Sequence, residues 1–331
     1  MEARNKAVFK EAKQDVEAEM ILYALEKAQI KCLPLKGLII KHLYPQPDMR
    51  LMADVDILVE TSQLEKARDI MLSLGYTAVH AGGNHDVYYK KPVMNIELHR
   101  ALIAESYYDL NAYFGSGWER ARLIAGSNCR YEMSNEDYYI YLIGHFAKHC
   151  QVGGAGIRSV MDVWVYKRHY QDQLDWNYIN LELEKVSLHI FAKNLEALSE
   201  QWFIGEVCSE NENYQEMKEF VLTNGTYGTS QNAEIKKFYK GKNDRESFNV
   251  AKIKHVLRIL VPDRKHMIIL FPYLQKLPFL LSLCWVFRGI RAILFRRSNI
   301  KRNLGNIAYL KEEEVKHMMN IQQKLFGMGV H

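Results

Sequence analysis

The feature that most constrains this chain is the segment ADVDILVE at positions 53–60, where Asp54 and Asp56 alternate with Val55 and Ile57 before the run turns wholly apolar. A period of two belongs to a β-strand, and the apolar continuation belongs to a strand entering a core. Residues two apart on a strand point to the same side, so the two carboxylates stand together. Like charges so placed repel, and the arrangement becomes tolerable when divalent cations sit between them. Hard Mg²⁺ favours oxygen ligands together with substrate phosphates and water, and Mn²⁺ can take its place. Two such ions about 4 Å apart activate an attacking oxygen and stabilise a leaving pyrophosphate. A third carboxylate is expected from a neighbouring strand. Glu97 qualifies, because it interrupts the apolar alternation of VMNIELH at 93–99. An isolated Asp-x-Asp is more often a solvated strand edge, so the flanking sequence has to decide.

Those flanks predict an α/β unit over residues 30–100. Val8, Ala12, Val16, Met20, Leu22 and Leu25 recur at helical spacing and predict an opening amphipathic helix. Ile30 to Leu35 reads as a strand, Lys36-Gly37 as a turn, and Leu38 to Tyr44 as a helix closed by Pro45 and Pro47. After the acidic strand, Thr61 or Ser62 caps a helix that Gly75 stops. Asp86 to Lys91 and Val93 to His99 complete the strands. Beyond about residue 100 helical periodicity takes over, at Tyr138 to Cys150, Ile157 to Tyr170 and Trp176 to Phe203. Asn224 to Asp244 has the composition of a loop or linker. The expected architecture is α+β: a small mixed-sheet domain over residues 1–104, including the first helix, then a mostly helical domain over 105–331 with the substrate cleft between them.

Read as one string, LPLKGLIIKHLYPQPDMRLMADVDILVE resembles the uncharacterised nucleotidyltransferases of the DNA polymerase β-like superfamily. The residues that carry the resemblance are Lys36-Gly37, Tyr44-Pro45, Arg50 and Asp54-Val55-Asp56-Ile57-Leu58-Val59, with the acidic-Leu-His element Glu97-Leu98-His99 downstream. The resemblance implies three metal-binding acids, Asp54, Asp56 and Glu97. It also implies Mg²⁺-dependent transfer of a nucleoside monophosphate from an NTP such as ATP to an acceptor. Where the wider superfamily opens its site with Gly-Ser, this chain has Lys36-Gly37. Gly37 still lets backbone approach a phosphate, and Lys36 adds a point charge. Arg50 either pairs with a phosphate or braces the acids. His145 and Arg158 complete the expected nucleotide contacts.

Other features fit blander roles. His145 and His149 stand four apart, which is metal-ligand spacing, yet no HEXXH motif and no third ligand accompany them. Arg158 and Asp162, also four apart, read as an ion pair on the helix that follows the glycine-rich QVGGAG. No Gly-x-Ser-x-Gly elbow occurs, which disfavours a serine hydrolase. The net charge of +5, from 44 basic and 39 acidic residues, is too small for a nucleic-acid coat. A small molecule or peptide is therefore the expected acceptor. Five scattered cysteines without a Cys-x-x-Cys pair suit a reducing compartment, and no secretory signal opens the chain, so a cytoplasmic location is expected. Met267 to Phe295 is apolar but broken by Pro272 and Pro278, which predicts amphipathic helices. The arginine-rich stretch Phe287 to Arg302 either caps the helical domain or makes weak contact with an anionic membrane.

Overall fold

The computed structural model describes residues 2–92, 94–104, 108–152, 156–205, 212–223, 235, 238, 246–295 and 305–326. It has the expected α+β architecture and forms two compact units, one of residues 1–148 and 158–214, the other of residues 149–157 and 215–331.

A five-stranded mixed sheet organises the first unit. Its strands are β1 (Cys32–Pro34), β2 (Val55–Val59), β3 (Thr77–His80), β4 (His85–Lys90) and β5 (Met94–His99), in the spatial order β1-β2-β5-β4-β3. β2 runs parallel to β5, and the other pairs are antiparallel. The parallel pairing requires a crossover, which α3 (Leu64–Ser73) and the β3–β4 hairpin supply. α3 ends at Gly75, whose φ of 83° only glycine adopts freely, with the Tyr76 amide closing back on the Met71 carbonyl at 3.0 Å.

One sheet face is dry. Val55, Ile57 and Val59 of β2, Met94, Ile96 and Leu98 of β5 and Tyr88 of β4 pack against Ala18, Ile21, Leu22 and Leu25 of α1 (Glu2–Lys27) and against Leu64, Ala67 and Met71 of α3. The period of two therefore sends Asp56, Glu97, His99 and His85 to the opposite face. After the sheet the chain forms α4 (Tyr108–Phe114), α5 (Asn135–Val152), α6 (Ile157–Tyr170), α7 (Trp176–Lys185) and α8 (His189–Phe203), and α5 meets the turn after β1 through the Tyr138 hydroxyl, 2.8 Å from the Lys36 carbonyl.

Two buried ion clusters tie the first unit together. Lys41, fully buried after the short helix α2 (Gly37–Ile40), pairs with Glu11 at 3.0 Å and Asp15 at 2.5 Å on α1. Asp162 of α6 accepts from Arg50 Nε at 3.0 Å and Nη2 at 2.7 Å, and from the Tyr44 hydroxyl at 2.6 Å.

Several elements differ from expectation. The stretch from Trp176 to Phe203 is two helices, because Ser187 takes a φ of 55° and the Leu188 amide bonds back to the Leu183 carbonyl at 2.8 Å. No side chain caps the turn after β2. β3 and the hairpin β6 (Ala121–Leu123) with β7 (Tyr131–Met133) are additional strands. The region from Met267 to Phe295 is broken as expected, with 3₁₀ turns at Pro272–Gln275 and Pro278–Leu280, and no described helix is long and apolar enough to cross a membrane. The segments Asn224 to Asp244, apart from Ile235 and Phe238, and Gly153 to Ala155 lie outside the described residues.

The second unit is helical, with Glu212–Thr223 reaching into it, followed by Phe248–Leu260, Arg264–Leu270, Leu281–Phe295 and Glu312–Leu325. Its apolar clusters are small: Ile235, Phe238, Ala251, Ile307, Leu310 and Val315 form one, and Met267, Leu274 and Cys284 another.

The Arg50–Asp162–Tyr44 cluster gives a direct test of what holds α6 in place. Asp162→Ala strands a buried guanidinium, and an unfolding free-energy loss of about 3–5 kcal/mol is expected in urea titration. Tyr44→Phe removes one hydrogen bond and should cost only about 1 kcal/mol. Equal losses would mean that the ion pair is not the main contributor.

Candidate active site

Asp56 is the centre of the candidate site. It is 4% exposed, and its Oδ1 lies 2.6 Å from Lys36 Nζ and 2.7 Å from His99 Nε2. The register that pairs β2 with β5 sets Asp56 directly beside Glu97. Glu97 Oε2 in turn lies 3.4 Å from His99 Nε2 and 3.6 Å from His85 Nε2, and His85 faces His99 across the β4–β5 pair.

The turn that delivers Lys36 is strained. Lys36 holds a φ of 49° with ψ of −116°, outside the regions a side-chain-bearing residue favours. Three donors over-determine it: the amides of Ile39 and Ile40 and the Tyr138 hydroxyl all bond the Lys36 carbonyl, at 3.1, 3.0 and 2.8 Å. Gly37 follows in close contact with Met52, whose Sδ would lie 2.5 Å from a Cβ built there, so a larger residue would require the Met52 side chain to move.

The charges divide unequally. Burial alone would raise the Asp56 carboxyl, but the Lys36 charge and the His99 hydrogen bond hold it well below the usual carboxylate range. Burial would lower Lys36, and Asp56 outweighs it and raises the ammonium well above its ordinary value. Asp54 has no such rescue. Burial and then the Asp56 charge raise its carboxyl, with Glu97 adding to the effect and Lys36 and Arg158 opposing it. Glu97 is lowered by its His99 hydrogen bond against the cost of burial.

Asp54 lies in the electrostatic field of both other acids, that of Asp56 the stronger. Asp56 and, more weakly, Asp54 act on the Lys36 ammonium, and Asp54, left under-compensated, is the acid whose carboxyl is raised. A divalent cation would relieve that excess, and carboxylate oxygens are the donors a hard cation prefers. The residues present therefore fit one. His85, Glu97 and His99 also bring two nitrogens and an oxygen within 4.8 Å of one another, a mixed donor set open to a softer ion.

The remaining expected residues are placed as follows. Gly37 lies under Met52, with Arg50 Nη1 3.3 Å from the position its Cβ would take. Arg50 reaches Asp162 rather than the acids, and Asp162 accepts from Arg50 and Tyr44. Arg158 donates to the Leu51 carbonyl at 3.1 Å. His145 lies against Tyr141, ring centroids 5.9 Å apart.

Three groups were not foreseen as site residues. His85 becomes visible only through strand register. Lys148, on α5, is pushed down to about 8 by burial and by the Lys36 charge, with Asp56 and Glu97 opposing. Tyr141 is fully buried, its hydroxyl has no hydrogen-bond partner, and Lys36 and Asp56 both act on it. A signal for the last two was present, since Tyr141, His145 and Lys148 recur at four and three residues on one helical face. A surface hollow lined by Lys167, Trp176, His189 and Glu196 shares none of these residues.

A carboxyl whose pKa rises on folding favours the folded state while protonated and loses that advantage as pH climbs through its folded pKa. At pH 7 Asp54 is thus a burden on stability and Asp56 an asset. In EDTA, Asp54→Asn should raise the urea midpoint by an amount worth about 1 kcal/mol, whereas Asp56→Asn should lower stability by about 3 kcal/mol by stranding Lys36. Shifts of the same sign would overturn this assignment.

A family model described as uncharacterised nucleotidyltransferase matches residues 1–204. No curated protein and no solved structure matches the chain.

Proposed function

This chain belongs to the family of uncharacterised nucleotidyltransferases, and from that premise we propose that it moves a nucleoside monophosphate from an NTP to a hydroxyl-bearing small molecule or peptide, with Mg²⁺ at Asp54, Asp56 and Glu97. The observation that carries this reading is the pairing of Asp56 with Glu97 in adjacent parallel strands, with Asp54 in their shared field.

When bound, Mg²⁺ neutralises phosphate charge and stabilises the departing pyrophosphate. The chain's own residues do the rest. Asp54, Asp56 and Glu97 hold the ion, and Lys36 and Lys148 supply positive charge beside the same acids for the triphosphate oxygens. Glu97 takes the proton of the acceptor hydroxyl, whose oxygen forms the new bond to the α-phosphorus as the bond to pyrophosphate breaks. His85, 3.6 Å away, steadies Glu97. Tyr141, His145 and Lys148 of α5 form the helical wall of the nucleotide cleft, as proposed for the segment beyond residue 105. Among the described residues Cys32, Cys129, Cys150 and Cys284 form no disulfide, which fits the reducing, cytoplasmic setting we propose.

One observation favours a second reading. The Lys36 ammonium already sits 2.6 Å from Asp56, an arrangement that suits a nucleotide-binding protein that works without a metal. The two readings separate in one experiment. The intact protein is incubated with α-labelled NTPs, Mg²⁺ or Mn²⁺ and a metabolite extract, beside Asp54→Ala, Asp56→Ala and Glu97→Ala. Label transfer should fall by at least about a hundredfold in each variant and vanish in EDTA. Metal-independent NTP binding by calorimetry, with no label transferred, would establish the second reading instead.

A further inference from the structure

In the second unit the helix Leu281–Phe295 is amphipathic the wrong way round for a buried helix. Its inner side is satisfied by Cys284, which packs with Met267 and Leu274. Its outer side presents Leu283, Val286, Phe287 and Ile290 at three, one and three residues, each 53–65% exposed. Phe279, in the turn before it, is 74% exposed. Helix Phe248–Leu260 repeats the pattern with Val250, Ile253, Leu257 and Leu260 exposed. The two helices are joined directly, since Arg288 donates to the Ile259 and Leu260 carbonyls at 3.1 and 3.3 Å and Trp285 to the Pro262 carbonyl at 2.9 Å. Single exposed apolar side chains are ordinary on a protein surface, whereas whole helical stripes of them mark a contact face.

Charge identifies the occupant. From Arg264 to Leu310 the sequence contains nine Lys and Arg and no Asp or Glu, while the chain as a whole carries 44 basic and 39 acidic residues. The basic excess is thus confined to this segment, and the remainder is net acidic. Lys276 and Arg291 are exposed beside the apolar row. A partner protein can offer an apolar groove or an acidic patch. An anionic bilayer offers negative charge along a continuous plane, backed everywhere by hydrocarbon, which is what an apolar row flanked by bases is matched to, with exposed Asp263 standing at its edge beside Arg258 and Arg288.

We propose that this face docks on the surface of an anionic phospholipid bilayer. Phe279, Leu283 and Phe287 enter the boundary between headgroups and acyl chains, and the neighbouring bases meet lipid phosphates. Attachment is at the surface, since no described helix is long and apolar enough to cross.

The test is co-sedimentation of the full chain with vesicles of phosphatidylcholine alone or with about one third phosphatidylglycerol. Binding should be at least about tenfold tighter to the anionic vesicles and should weaken in high salt. The triple variant Phe279→Ser, Leu283→Ser, Phe287→Ser should lose at least about tenfold in vesicle affinity. Its fold is checked by circular dichroism and an unchanged melting midpoint; should it unfold, Lys276→Glu with Arg291→Glu reads the same face through charge alone. The proposal is overturned by equal or absent binding to both vesicles. It is equally overturned by unaltered binding of the variants, or by a dimer in vesicle-free solution that the triple variant dissociates while vesicle binding is absent.

Discussion

The candidate site in the first unit depends on one buried anion. Asp56 has almost no contact with solvent, and an unpaired carboxylate there would cost several kcal/mol in desolvation. Its stability comes from Lys36 on the β1–α2 turn and His99 at the end of β5. These three residues come from three segments, so satisfying one charge fixes the turn, the central strand and its parallel neighbour together. The unfavourable backbone of Lys36 belongs to the same arrangement. The conformation that aims its ammonium at Asp56 is one that L-residues avoid, and Tyr138 with two helix amides holds it there.

The two kinds of buried charge in this unit have opposite characters. Around Asp162 every donor has its acceptor: a bidentate arginine and a tyrosine hydroxyl close the carboxylate completely. Around Asp54, burial and then the Asp56 charge outweigh Lys36 and Arg158, and its carboxyl resists ionisation. A closed cluster is a brace. An imbalanced one, set on the sheet face opposite the hydrophobic core, is where the cation we propose would find its binding free energy.

Much of this was legible in the residues. The acid–apolar alternation of 53–60 announced β2, the alternation of 93–99 announced β5, Gly75 marked the end of α3, and the helix Ile157–Tyr170 was bounded as read. What escaped did so for physical reasons. β3 is exposed along its length, so no burial pattern marked it, and the strands of the β6–β7 hairpin have three residues each. The break at Ser187 depends on one residue adopting positive φ, which composition does not announce. Spacing offered Arg158 to Asp162 but could not show that Arg50, 112 positions away, also bonds that carboxylate, since local spacing carries no information about tertiary partners. His85 and Lys148 reach the site only through strand register and helix docking.

The parallel alignment of β2 with β5 also governs when the site can exist. Asp56 meets a partner 43 residues further on, and between them the chain must complete α3 and an antiparallel hairpin. Pairings of such long range form late, after local helices and turns have reduced the entropy of closing the loop. The acidic pocket is therefore absent from a nascent chain still short of His99. The ligand affinity we propose for the site would therefore depend on the docking of the β5 strand and would report completed sheet assembly.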